Sequence, residues 1–241
     1  VIGRGGLFTG ADVEAAYKID NGHYAPTRLV AIENTHNRGG GRVFPQNMIV
    51  EVAATARRLG VALHLDGARL WNAHIATGVA LSTLAAPFDT VSVCLSKGLG
   101  APVGSVLTGP RALMERARRR RKMLGGGMRQ AGVLAAAGRY ALAHHIARLA
   151  DDHASCRAYA EGIVHLAGVR LDLASVETNL CIFELTSEVP IDAAAFVTKA
   201  KAHGLLVNAV GPRKVRVVTH LDVDRAACIE AAKITREVLT S

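Results

Sequence analysis

The sequence predicts an α/β chain with a mainly parallel sheet, followed by a smaller C-terminal α/β domain. Short apolar strands alternate with helical stretches from residue 28 to 108, the pattern of strands joined by helical crossovers. Two of those strands end on a polar residue followed by glycine, as strands do at the ligand-binding edge of a parallel sheet. An alanine-rich helix, about 130–149, then separates this set from a second group of strands and helices. The boundaries expected are 1–145 and 146–241. A chain of 241 residues, half of them apolar, buries a substantial core and is globular, not disordered.

The elements follow in order. Gly3, Gly5 and Gly6 read as a loop and not as a phosphate cradle, because no strand precedes them. Asp12–Lys18 predicts a short helix with Asp12 near its start. His23 and Tyr24 precede a predicted strand over Arg28–Ile32, and Glu33–Asn37 is then dense in polar groups. Polar residues at a sheet end either line a cleft or shape the turn; Asn37 reads as shaping. Pro45 opens a helix to about Leu59, with Met48, Val52, Ala56 and Leu59 on one face, and Gly60 closes it. A predicted strand over Val61–Leu65 leads to Asp66 and a short helix from Leu70. One over Thr90–Leu95 leads to Lys97, and a third covers Val103–Thr108. Helix Pro110–Lys122 runs into Gly125-Gly126-Gly127. After the alanine-rich helix come strand Leu180–Leu185, helix Ile191–Ala202, strands Leu205–Val210 and Arg216–Thr219, and helix Asp224–Leu239.

Two strand ends carry the chemistry. Lys97 stands at the mouth of a buried strand, where an ammonium without a partner is costly, and glycines beside it let a ligand approach. A lysine so placed is either a partly desolvated amine ready to attack an aldehyde or a strand-end residue reaching for water. The second strand ends on Asp66, with Arg69 three residues on, so an amine, a carboxylate and a guanidinium converge on one edge. Pyridoxal phosphate needs a lysine for its aldehyde and a carboxylate for its ring nitrogen. Arg216, which leads a strand of the second domain, reads by itself as a surface arginine, and Lys122 and Arg129 beside the triple glycine read as solvated.

Composition narrows the classes. The net charge of +9 invites nucleic acid, but only 4% of residues are aromatic, too few for stacking on bases. The basic run Arg116–Lys122 is helical in context and reads as solvated, with contacts to an anionic ligand or another subunit as its functional alternative. No apolar run is long enough to span a membrane, and Val1–Gly6 lacks the apolar segment of a signal peptide. Cys94, Cys156, Cys181 and Cys228 are scattered, which fits reduced thiols in a cytoplasmic protein. No metal-ligand spacing is present.

The chain resembles the low-specificity L-threonine aldolases. The resemblance rests on Glu33-Asn34-Thr35-His36-Asn37, His64-Leu65-Asp66-Gly67-Ala68-Arg69, Cys94 to Ser105, Arg121 to Gln130, and Val217-Val218-Thr219-His220-Leu221-Asp222-Val223. It implies a fold type I large domain of the pyridoxal-phosphate-dependent transferases, incomplete at its start, and a homotetramer with sites between subunits. The implied cofactor is pyridoxal 5′-phosphate: Lys97 would bond its aldehyde and Asp66 would pair with its ring nitrogen. Arg69 would lie against the cofactor or the substrate carboxylate. Arg216, with Arg213 as a second candidate, would hold that carboxylate. Lys122 and Arg129 would approach the phosphate of a neighbouring subunit, and His23 would take the proton from the substrate's β-hydroxyl.

The reaction implied is cleavage of L-threonine or L-allo-threonine to glycine and an aldehyde. The alternatives are another lyase or an aminotransferase of the same fold, or a remnant that does not hold the cofactor alone. Family members usually have a shorter loop than Arg38–Arg42, so it reads as surface variation. Nothing before His23 matches the family's first segment, which cradles the phosphate. The resemblance therefore covers roughly the last three quarters of a full enzyme, and a sheet short of those elements would leave apolar surface uncovered.

Overall fold

The computed structural model describes residues 3–240. Val1 and Ile2, part of the start read against a signal peptide, lie outside the described residues; Arg4–Gly6 form a single 3-10 turn. The chain divides into two compact units. One comprises the residues up to Thr35 together with Phe44–Ile146, and the other comprises His36–Val43 together with the chain from Ala147 onward.

The first unit opens with α1 (Gly10–Ala16). Thr9 Oγ1 accepts from the Asp12 amide at 3.2 Å, and Asp12 Oδ2 accepts from the Thr9 amide at 2.7 Å. This reciprocal cap starts the helix two residues before the expected Asp12, and the amide it accepts from holds the Asp12 carboxyl below the usual range. There follow β1 (Leu29–Glu33), α2 (Gln46–Arg58), β2 (Ala62–Gly67), α3 (Leu70–Thr77), α4 (Leu81–Ala85), β3 (Thr90–Cys94), β4 (Ser105–Thr108), α5 (Arg111–Met123) and α6 (Gly132–His144). The sheet order is β1-β2-β3-β4. Its first two pairings are parallel and β4 returns antiparallel.

One face of this sheet is buried through Val30, Ile32, Leu63 and Leu65. Helix α2 lays Ile49, Val52, Ala53 and Ala56 inward, so its buried stripe is centred between the predicted Met48 and Leu59, both only partly covered. Apolar surface is indeed left open: Leu29 is 52% and Leu107 44% exposed, and α5 has no buried residue.

The second unit holds α7 (Leu149–Ile163), β5 (Val169–Arg170), β6 (Leu180–Leu185), α8 (Ala193–Ala202), β7 (Asn208–Ala209), β8 (Lys214–Val218) and α9 (Arg225–Thr240). Its strands run β5-β6-β8-β7, all antiparallel. Tyr159 of α7, Phe183 of β6, Phe196 of α8 and Val215 of β8 are among its fully buried core residues. Phe183 and Phe196 meet edge to face at 5.7 Å, and the Tyr159 hydroxyl lies 3.0 Å from that of Thr235. Cys156, Cys181 and Cys228 are buried free thiols, and burial pushes Cys181 up to about 12.

Two expectations fail here. The helix read over about 130–149 ends at His144, and α7 was not foreseen. Its apolar stripe is interrupted by Asp152, whose side chain is fully buried against Arg148 at 2.7 Å. The loop Arg38–Arg42 is not surface variation either. Gly40 and Gly41 are buried with positive φ, and a Cβ on Gly41 would stand 2.5 Å from Thr178 Oγ1.

Candidate active site

The three parallel strands of the first unit end at one level. Glu33 of β1 pairs with Asp66 of β2, and Asp66 pairs with Ser92 of β3. Beyond that level the chain carries Asn34-Thr35, Ala68-Arg69 and Ser96-Lys97, so Asp66 stands at the carboxyl end of its strand and Arg69 and Lys97 just beyond the ends of adjacent strands. This is the edge at which parallel sheets bind ligands.

Each residue is set by its own turn. Asp66 is half-buried, and its Oδ1 accepts from the Ala68 amide at 3.1 Å, an Asx turn that fixes the carboxylate. Arg69 is only 9% exposed and caps α3, its carbonyl accepting from Asn72 and Ala73. Lys97 is exposed at the start of a tight turn whose Gly100 amide donates to the Lys97 carbonyl at 2.8 Å. The Trp71 indole N–H donates to the Cys94 carbonyl at 2.9 Å, tying α3 to the end of β3. Beside Asp66, the Asn34 amide donates to the Asp66 carbonyl at 2.9 Å. Asn34 Nδ2 and Thr35 Oγ1 are buried there without a hydrogen-bond partner.

The remaining candidates lie apart in the chain's layout. His23 is exposed in a bend that enters β1 from its amino end, and its amide donates to Asn21 Oδ1 at 3.1 Å. Lys122, in the last turn of α5, and Arg129 are both exposed on either side of the triple glycine. In the second unit, Arg216 is half-buried on β8 and donates from Nη1 to Asn37 Oδ1 at 2.9 Å. Arg213 is committed elsewhere: its guanidinium donates to the carbonyls of Leu185 at 2.7 Å, Val189 at 2.9 Å and Thr186. It clamps a loop. Trp71, which holds the end of β3, and His145, whose Nδ1 lies 2.6 Å from the Leu99 carbonyl in the Lys97 turn, carry no sequence signal because a hydrogen bond to a backbone carbonyl leaves no spacing signature.

Among the described residues no helix is long and apolar enough to cross a membrane, and no group of His, Cys, Asp and Glu could hold a metal ion.

Solved structures share this architecture. A threonine aldolase from Leishmania major superposes with a TM-score of 0.78 at 19% identity, over 98% of this chain and 69% of that one. A 4-hydroxyphenylacetaldehyde synthase from Rhodiola rosea gives 0.72 at 16%, over 98% and 54%. The molecule is thus an α/β protein of fold type I, the fold of pyridoxal-phosphate-dependent transferases. The chain belongs to the beta-eliminating lyase family, whose profile matches residues 1–186.

Among its relatives, low-specificity L-threonine aldolase 1 of Arabidopsis thaliana is 39% identical over 233 residues, 93% of this chain and 65% of that protein. The low specificity L-threonine aldolase of Escherichia coli O157:H7 is 44% identical over 222 residues, 92% and 63%. The chain therefore spans less than two thirds of these relatives' length, short of the roughly three quarters first expected.

Proposed function

We propose that this chain carries the cofactor- and substrate-handling residues of an enzyme that cleaves L-threonine, L-allo-threonine and related β-hydroxy-α-amino acids to glycine and an aldehyde. The observation that carries the reading is the gathering of Asp66, Arg69 and Lys97 on one carboxyl edge in a chain about 40% identical to threonine aldolases.

The residues present fit pyridoxal 5′-phosphate. The donor set offers a primary amine and a carboxylate on neighbouring strands, and the orphaned Asn34 Nδ2 and Thr35 Oγ1 are polar atoms at the same edge that a polar ligand would satisfy. Lys97 would hold the cofactor's aldehyde and Asp66 its ring nitrogen, and Lys122 and Arg129 would approach the phosphate from a neighbouring copy. When bound, the cofactor supplies an electron sink for the bond broken next to the amino-bearing carbon. Arg216 of the second unit would take the substrate carboxylate, for which a guanidinium's planar fork is suited, and Arg69 offers the same fork at the carboxyl edge of the first unit. His23 accepts the β-hydroxyl proton as the Cα–Cβ bond breaks. By family likeness the chain would work as a homo-oligomer, a tetramer, and the free thiols suit a reducing cytoplasm.

The test is an absorbance spectrum of the purified chain with added pyridoxal phosphate, beside Lys97→Ala, followed by an assay for acetaldehyde from threonine. A band near the visible edge in the wild type only, with acetaldehyde released, supports the reading. No band in either removes it for this chain by itself.

A further inference from the structure

The second unit contains a cleft of about 440 Å³ lined by Asn37, Arg38, Ile182, Val210, Lys214 and Arg216. Three of these are cations, so the cleft favours an anion. Arg216 sits on β8 opposite Ile182 of β6 and Asn208 of β7, which fixes the root of its side chain. Its Nη1 donates to Asn37 Oδ1 at 2.9 Å, while its Nε is buried and has no partner. A guanidinium offers two forks: an end-on pair, Nη1 and Nη2, and a side-on pair, Nε and Nη2. Asn37 occupies the first through Nη1. The unpartnered donor belongs to the second, and a buried N–H without an acceptor is costly unless a ligand supplies one.

We propose that Asn37 is the positioning residue of Arg216, turning the guanidinium so that its Nε edge receives a carboxylate in this cleft. The proposal rests on the reading that Arg216 takes the substrate's carboxylate, and it goes further by saying which edge does so and what aims it. An amide suits this role because its oxygen accepts from Nη1 and adds no charge, so the arginine keeps its full attraction for an anion. Asn37 also shapes its turn as expected, its carbonyl accepting from the Gly40 amide at 3.2 Å, while its side chain is left for Arg216. The loop that carries it is held by other bonds, from Thr178 Oγ1 to the Gly41 carbonyl at 2.7 Å and from the Val43 amide to Glu177 Oε2 at 2.8 Å.

The experiment is a titration of the ¹⁵N-labelled full chain with acetate and with glycine, read at the Arg216 Nε–H resonance, assigned by its loss in Arg216→Lys. A saturable shift is expected in the wild type. Asn37→Ala weakens it by about tenfold or more, the scale of a hydrogen bond to a charged group. Thr178→Val, which loosens the same loop without touching Arg216, leaves the affinity within about twofold. Equal affinity in wild type and Asn37→Ala overturns the proposal, and so does an equal loss in Thr178→Val, which would trace the effect to loop packing. Acetate binding that depends on Asn37 in a chain that does not cleave threonine supports this proposal while removing the proposed reaction.

Discussion

His145 donates its Nδ1–H to the carbonyl of Leu99 at 2.6 Å, and Leu99 lies inside the turn that begins at Lys97. A carbonyl only accepts, so this contact sets the tautomer of the ring. The turn is closed by the Gly100 amide on the Lys97 carbonyl and the Ala101 amide on that of Leu95. His145 thus anchors, from just beyond α6, the segment that presents the candidate nucleophile. His145→Leu should keep the fold and loosen the turn. Hydrogen exchange at the Gly100 and Ala101 amides is expected to quicken by about tenfold, the worth of roughly one net hydrogen bond. Unchanged exchange would show that the turn holds itself.

Gly41 is where the glycine-rich loop leaves no room. Its φ is +79°, and an added Cβ would meet Thr178 Oγ1 at 2.5 Å and Leu180 Cβ at 2.7 Å. Gly22 has a similar φ of +76° with nothing within 4 Å. Gly22→Ala should therefore cost only the conformational strain, about 1 kcal/mol. Gly41→Ala should cost about 3 kcal/mol or more, strain plus overlap. Urea melts of the two variants measure the difference directly.

His153 sits within α7, where burial pushes its imidazole down to about 4. In the unfolded chain the ring titrates at about 6.5, so folding favours the neutral form. The contribution of this group is fully present above about pH 6.5 and declines as pH falls towards 4, by up to about 1.4 kcal/mol per pH unit. Asp152 next to it is raised, chiefly by burial, and opposes that trend. His153→Leu should flatten the acid side of the stability profile, read as urea midpoints at about pH 7.5 and about pH 4.5. If wild type and variant lose stability in parallel, His153 is not the group responsible.

Asp66 can lose its charge without losing its turn, because an asparagine oxygen also accepts from the Ala68 amide. Asp66→Asn should leave the melting temperature nearly unchanged. It should weaken binding of pyridoxal phosphate by about tenfold or more, since a charge-assisted hydrogen bond becomes a neutral one. Cofactor titration followed by absorbance checks this, and equal affinity would remove Asp66 from the site.

What could be read from residues alone divides along physical lines. The strands leading to Asp66 and Lys97 were legible because each is rich in apolar or β-branched residues and its end is marked by polar residues and glycine, although β2 is buried only at alternate positions and β3 only at Val91. Helix α7 was not, because Asp152 fills a core position, where the ion pair with Arg148 helps to offset its burial. The turn at Asn37 was legible locally, but its bond from Arg216 was not, because the two are 179 residues apart in sequence. For the same reason the buried role of Gly40 and Gly41 is invisible in a local window. Arg213 looked like a twin of Arg216, yet three backbone carbonyls claim it.

The excursion His36–Val43 also has a consequence in time. Its docking residues are made late: Thr178 follows Gly41 by 137 positions and Glu177 follows Val43 by 134. During translation at about 5–20 residues per second, the loop emerges on the order of ten seconds before the surface that receives it. The C-terminal unit therefore cannot finish folding from its own contiguous stretch of chain. Any split, fusion or permutation of this protein that cuts between Ile146 and Ala147 separates that unit from its own glycine-rich plug.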